Sequence, residues 1–317
     1  MWFLIRAIMA GAALLCLNPA RGEDFPARPV RFVTSDPGGS GDMVARMIAP
    51  GLTRSLGQQV IVDNRGANVV IPVVIKASPD GHTLLLYGST FWIGTLLDKA
   101  PYDPLRDVAP IACVTSAYNV LVVHPAVPAH SVRELIDLAR AKPGVLNYGS
   151  GATGASTHLG AELFKAMAGV NLVRIPFKGA GPAIIGLLAG EVQVMFPSSS
   201  SIASHMKSGK VRALAVASPK PTALVPGLPT VAASGVPGFE SATVNSVFAP
   251  AKTPTRIINR LNTEIVRAFN QQDVKDTLFG LGIEPVGSSP QELMALMKSD
   301  IARLGKVIKD AGIGAQP

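Results

Sequence analysis

Two stretches of the chain set bare backbone beside hydroxyl groups. The first is SDPGGSGDMVAR at 35–46 and the second is NYGSGATGASTHLGAELF at 147–164. Each follows an apolar run and leads into a helical pattern, so each reads as strand, glycine-rich turn and helix start. At a helix start the first N–H groups lack intrahelical partners, and the dipole places roughly half a positive charge there. Gly38, Gly39, Gly151 and Gly154 leave such amides open, while Ser35, Ser40, Ser150, Thr153 and Ser156 add hydroxyl donors. That donor set suits an oxygen anion, and two such loops facing one cleft suit a carboxylate. A mechanical reading stands beside it: a tight strand-to-helix turn needs positive φ, which glycine supplies.

Other chemistry-bearing residues lie close by in sequence. Ser89 and Thr90 precede Phe91 and Trp92, an aromatic pair that either lines the same cleft or belongs to the core. His158, on the helix after the second loop, either lines the cleft or bonds to backbone as a helix-face histidine. Asp42, at the start of the first helix, reads as an acid complementing the dipole, though it stands among the binding candidates by position.

Competing motifs fail on particular residues. Gly149, Gly151 and Gly154 satisfy the dinucleotide spacing, but no acid ends the next strand, LVRIPFK, to hold a ribose; it offers Arg174 and Lys178 instead. No cofactor is expected. The nucleophile-elbow pattern is broken by Asp42 in the first loop and by Tyr148 in the second. The five histidines are dispersed, with no zinc-protease pattern. No catalytic and no metal residues are assigned, and the chain is not read as an enzyme.

Alternating patterns must position these loops. Strands are expected at VRFVT, VIVDN, HTLLLY, VLVVHP, LVRIPF, VQVMF, RALAVA and SVFAP. Helices are expected at 43–56, where Pro50-Gly51 kinks or splits the run, in a run ending at Ala77, after the Ser131–Glu134 capping box, at 157–168, and through Leu188. A last helix runs from the Ser289–Glu292 box to about 311. Such βα alternation implies helices flanking mostly parallel sheets. Two runs with crossings near 116–124 and 245–250 imply a first lobe of 23–118 plus 247–317 and a second of 119–246. A hinged cleft between two lobes is where a small ligand sits.

Composition agrees with a globular α/β chain: of 317 residues 48% are hydrophobic, 16% charged and 5% aromatic. Residues 1–22 read as a signal peptide, with Arg6, an apolar stretch over 7–17 and a small-x-small end at Gly22. The apolar stretch falls short of the roughly 18 residues that span a bilayer. Cys16 raises a lipoprotein variant, against which Leu15 stands. After cleavage Cys113 is alone, so neither an internal disulfide nor a cysteine zinc site is expected. Loss of Arg6 and Arg21 takes the formal charge from +8 to +6, with basic residues scattered. A mild positive field of this kind attracts anionic small molecules, and no nucleic-acid partner is expected.

The ordered motifs PGGSGDMVAR, LGQQVIVDNRGAN, SPDGHTLLLYGST, PYDPLRDVAPI, LNYGSGATGASTHLGAELFKAMAGV, RIPFKGAGPAIIGLLAGEVQVMF and FAPAKTP extend across nearly all of 25–312. In these the chain resembles the Bug/TctC family, extracytoplasmic solute-binding receptors of tripartite tricarboxylate transporters. The resemblance implies a two-lobed periplasmic binding-protein fold, type II-like, with two crossing strands. It also implies a periplasmic location and a small organic acid clamped between the loop at Gly38-Gly39 and the loop at 150–156. Membrane permease subunits are the implied partners. A ligand sensor that presents its closed form to a membrane partner such as a sensor kinase is the alternative. Three departures stand out: a short, glycine-poor run after Arg65, Pro197 and Ser198 where an acid usually follows Met195-Phe196, and Phe177 in place of a tyrosine ahead of Lys178-Gly179. Loss of an acid and a hydroxyl there points away from an amino acid and toward a plain carboxylic acid, aromatic or dicarboxylic.

Overall fold

The structure is a computed structural model that describes residues 25–313 apart from 36, 38, 39, 98, 152 and 311. The expected signal segment, 1–22, lies outside the described residues. The first βα units are β1 (Val30–Thr34), α1 (Ser40–Leu56), β2 (Val60–Asn64), α2 (Ala67–Ile75) and β3 (Thr83–Gly88). Parallel pairing puts β1 between β2 and β3. A short helix, α3 (Thr90–Ile93), precedes β4 (Val108–Tyr118), and β5 (Val120–Val123) follows after one residue, Asn119.

The second lobe comprises β5, α4 (Val132–Ala141), β6 (Asn147–Ser150), α5 (Ser156–Ala168), β7 (Val173–Pro176), α6 (Ala180–Leu188), β8 (Val194–Met195), α7 (Ser199–Lys207) and β9 (Arg212–Val216). The chain then returns through β10 (Ala242–Pro250) to α8 (Thr255–Phe269), α9 (Gln272–Gly280), β11 (Glu284–Pro285) and α10 (Pro290–Asp310). The sheets run β11-β4-β10-β3-β1-β2 and β7-β6-β8-β5-β9. Each carries apolar clusters around it, Val44, Ile48 and Phe32 in one and Val33, Phe91 and Trp92 in another for the first lobe.

Both sheets are mixed, which corrects the expectation of mostly parallel ones. β10 runs antiparallel to β3 and β4, and β5 antiparallel to β8 and β9. The strand that brings the chain into each lobe from the other therefore runs against its neighbours. An apolar strand has the same side-chain alternation in either direction, so direction is set only when the lobes assemble. α1 runs unbroken through Pro50, its Ile48 and Leu52 buried in one cluster with Leu261 and Ile265 of α8. Tertiary packing outweighs the local cost of an interior proline.

Both caps form, the reciprocal bond returning to the residue before the cap at α4 and to the cap itself at α10. Ser131 Oγ accepts from Glu134 N at 3.2 Å, and the Glu134 carboxylate accepts from His130 N at 2.8 Å. At α10, Ser289 Oγ accepts from Glu292 N at 3.2 Å while Glu292 accepts from Ser289 N at 2.7 Å. α10 then reaches both lobes: Leu293, Met297 and Ile308 join a first-lobe cluster and Val307 a second-lobe one.

Candidate functional site: a cavity between the lobes

A cavity of about 490 Å³ lies where the two lobes meet. Ser35, Ser40 and Gly41 reach it from the β1–α1 connection, Ser89 and Thr90 from the end of β3, and Thr243 and Asn245 from β10. The second lobe supplies Gly154, Ala155 and Ser156 at the start of α5. Two long helices thus begin at this cavity, with Ser40 and Ser156 as their first residues. The residue ahead of α5 is Ala155, whose side chain makes no capping bond, while its carbonyl accepts from His158 N at 2.9 Å.

Close approach explains two glycines. A Cβ on Gly41 would lie 2.5 Å from Thr34 Oγ1, so α1 starts against the sheet only without a side chain there. Gly154 has φ +83°, and a Cβ on it would meet Leu97 of the first lobe at 2.2 Å. Polar bonds join the walls. Thr243 Oγ1 donates to Ser156 Oγ at 2.9 Å, and Ser40 Oγ donates to Asn245 Oδ1 at 3.3 Å. Asn119 Nδ2 donates to the Ser156 carbonyl at 3.2 Å and to Ser241 Oγ at 2.8 Å.

Of the sequence candidates, Ser35, Ser40, Ser89, Thr90, Gly154 and Ser156 line the cavity. Gly38 and Gly39 lie outside the described residues. The remaining candidates have other surroundings. Asp42 is buried, its Oδ1 accepting from Arg46 Nε at 2.8 Å and Asn64 Nδ2 at 2.9 Å. Gly151 N donates to Thr157 Oγ1 at 3.0 Å, and Gly154 N donates to His158 Nδ1 at 3.2 Å, so two loop amides serve the loop itself. Ser150 and Thr153 accept from Arg174 at 2.9 and 3.1 Å. Phe177 packs over Gly186 of α6, Gly179 stands just before α6, and Ser198 just before α7.

His158 is buried, and burial, reinforced by the Arg174 charge, pushes its pKa down to about 4. It is therefore neutral at pH 7, with a lone pair on Nδ1 for the Gly154 amide. Phe91 and Trp92 are fully buried core residues; the indole N–H of Trp92 donates to Asp300 Oδ2 at 3.1 Å.

Several lining residues escaped sequence reasoning. Tyr87 and Tyr118 stand at the ends of β3 and β4, and Thr243 and Asn245 on the returning strand. Leu296, Asp300, Arg303 and Leu304 share one face of α10, a spacing that also describes any helix with a buried face. Arg303 donates to Asp300 Oδ1 at 3.1 Å and to the Glu240 carbonyl at 2.6 Å. Burial raises the Glu240 carboxyl above its ordinary value, with Arg303 opposing. Among the described residues no group of side chains could hold a metal ion, and no helix is long and apolar enough to cross a membrane.

Comparison with known proteins agrees with this arrangement. Residues 44–313 match the model of the tripartite tricarboxylate transporter family receptor, TctC. BugT of Bordetella pertussis is 35% identical over 301 residues, covering 93% of this chain and 92% of BugT. The solved structure of R. palustris Rpa4515 with adipate is 36% identical with a TM-score of 0.76, covering 92% of this chain and 99% of that one. MatC (Rpa3494) from Rhodopseudomonas palustris with bound malate is 30% identical with a TM-score of 0.72, covering 90% and 100%. Two lobes on crossing strands, a cavity lined by the starts of α1 and α5, and a family match over most of the chain lead to one assignment: this chain belongs to the Bug/TctC family of tripartite tricarboxylate transporter receptors, which are solute-binding proteins and not enzymes.

Proposed function

We propose that this protein is a periplasmic receptor that captures a small organic carboxylate in the inter-lobe cavity and delivers it to the membrane permease subunits of a tripartite transporter. The observation that carries the reading is the convergence of the α1 and α5 starts on one cavity, with Ser40, Ser89, Thr90 and Ser156 around it. Helix N-termini and hydroxyls stabilise an anion by oriented donors without adding a formal charge that would hinder release. Charge-assisted bonds contribute roughly 1.5–3 kcal/mol each, so three or four support about micromolar affinity after ordering costs. The relatives solved with adipate and with bound malate support a carboxylate as the class of ligand. Because each lobe supplies one helix start, a bound acid favours lobe closure.

Thermal shift and calorimetry against adipate, malate and benzoate, with a neutral sugar and a divalent metal as controls, test the first half. A raised melting temperature with carboxylates alone is expected. A response to the sugar or the metal, with none to any acid, overturns it. Loss of uptake of the same acid on deleting the gene tests the second half, since a receptor with no transport role leaves uptake intact.

A further inference from the structure

We propose that Arg174 is a positioning residue for ligand binding: without lining the cavity, it holds the second glycine loop in the shape that aims the start of α5 at the ligand. This rests on the receptor reading above. Arg174 lies on β7, the edge strand of the second sheet, opposite Tyr148 in parallel register. Its side chain crosses the end of β6 and meets the loop with all three nitrogens. Nε donates to Ser150 Oγ at 2.9 Å, Nη1 to Thr153 Oγ1 at 3.1 Å and Nη2 to the Gly151 carbonyl at 3.1 Å. Only a planar fork of donors spans three acceptors in this way; a lysine ammonium is a single point.

A glycine loop has a large entropy to lose on ordering, so the clip acts where the loop is least self-supporting. Among the described residues, side chains of α5 also tie the loop: Gly151 N donates to Thr157 Oγ1 and Gly154 N to His158 Nδ1. The second tie needs an unprotonated His158. Three charges act on that ring: Arg174 from β7 and Lys165 on α5 disfavour its protonation, and Glu162 on α5 favours it, all beneath the larger effect of burial. Arg174 therefore acts on the loop twice, through its bonds and through its charge, and the two can be separated.

Arg174→Lys keeps the charge and loses the fork; Arg174→Gln loses both. The residue is half-buried on an edge strand, so both variants are expected to fold, with melting temperatures close to that of the parent. At pH 7.5 both should bind the acid about tenfold or more weakly. NMR titration of the His158 ring should show an upward shift in Arg174→Gln and little change in Arg174→Lys. Binding by the Gln variant should then weaken further on going from about pH 7 to 5, while the deficit of the Lys variant stays constant. Thr153→Val, at an exposed position, removes one partner only and should cost a few-fold, which keeps the proposal testable if the arginine variants fold poorly. Parental affinity in all three variants, or a His158 titration unmoved in Arg174→Gln, overturns it. If the parent protein binds no carboxylate, the receptor reading fails instead; hydrogen exchange of the 151–154 amides and the His158 titration still decide whether Arg174 orders the loop.

Discussion

Thr243 Oγ1 donates to Ser156 Oγ across 2.9 Å, tying the strand that returns to the first lobe to the first residue of α5 in the second. The other crossing reaches the same point, because Asn119 Nδ2 donates to the Ser156 carbonyl at 3.2 Å. Both crossings thus converge on the helix start that faces the cavity. A hydroxyl that accepts from Thr243 retains its own proton to donate, so Ser156 is poised toward an acceptor in the cavity.

Ser156→Ala removes that proton and the acceptor for Thr243 together. The acid should bind about tenfold or more weakly, read by calorimetry, since a hydrogen bond to a charged group contributes roughly 1.5–3 kcal/mol. Ser156 is half-buried, so the melting temperature should move little. An affinity equal to the parent would remove the α5 start from the binding site.

Gly154→Ala should destabilise the fold as well as the site. At φ +83° an alanine costs roughly 1–2 kcal/mol, and Leu97 must also swing aside from a Cβ that would approach it to 2.2 Å. A lower urea midpoint together with weaker acid binding is the expected outcome. A Gly41→Ala variant, whose Cβ meets Thr34 Oγ1 at 2.5 Å, should show a similar pairing.

His158 predicts a pH dependence with a definite sign. Its folded pKa, about 4, lies below the ordinary 6.5, so the unfolded chain takes up the proton first as pH falls. Its contribution is complete above about pH 6.5 and is lost progressively down to about pH 4, amounting to about 2 kcal/mol between pH 7 and 5. Urea midpoints at those two pH values should differ less in His158→Gln than in the parent.

Cys113 is buried and unpaired, and burial pushes its thiol up to about 11. A thiol in that state is a poor nucleophile. A thiol-specific chromogenic reagent should leave the native protein unmodified and react stoichiometrically once urea unfolds it.

Local chemistry was readable wherever a few neighbouring residues suffice. The caps at Ser131 and Ser289 form as their spacing implies, because capping joins side chain and amide only three residues apart. The strand–loop–helix units around 35–46 and 147–164 are equally legible, since period and glycine punctuation are properties of short windows. Asp42 and His158 show the limit of that reading. Their positions were plain, but Asp42 pairs with Asn64 from the next strand, and the pKa of His158 depends on Arg174 from β7.

The sequence by itself determined the lobed α/β character, the two glycine loops, the helix boundaries set by caps and the family to which the chain belongs. Tertiary structure alone decided strand direction, the burial of Phe91 and Trp92, and which loop groups face the cavity and which are spent on the loop itself. It also brought Thr243, Asn245 and Arg303 to the same cavity from segments far along the chain. The physical reason is range. Propensity, capping and turn chemistry act over a few residues, whereas a cavity wall is an agreement among distant segments that exists only once both lobes have packed.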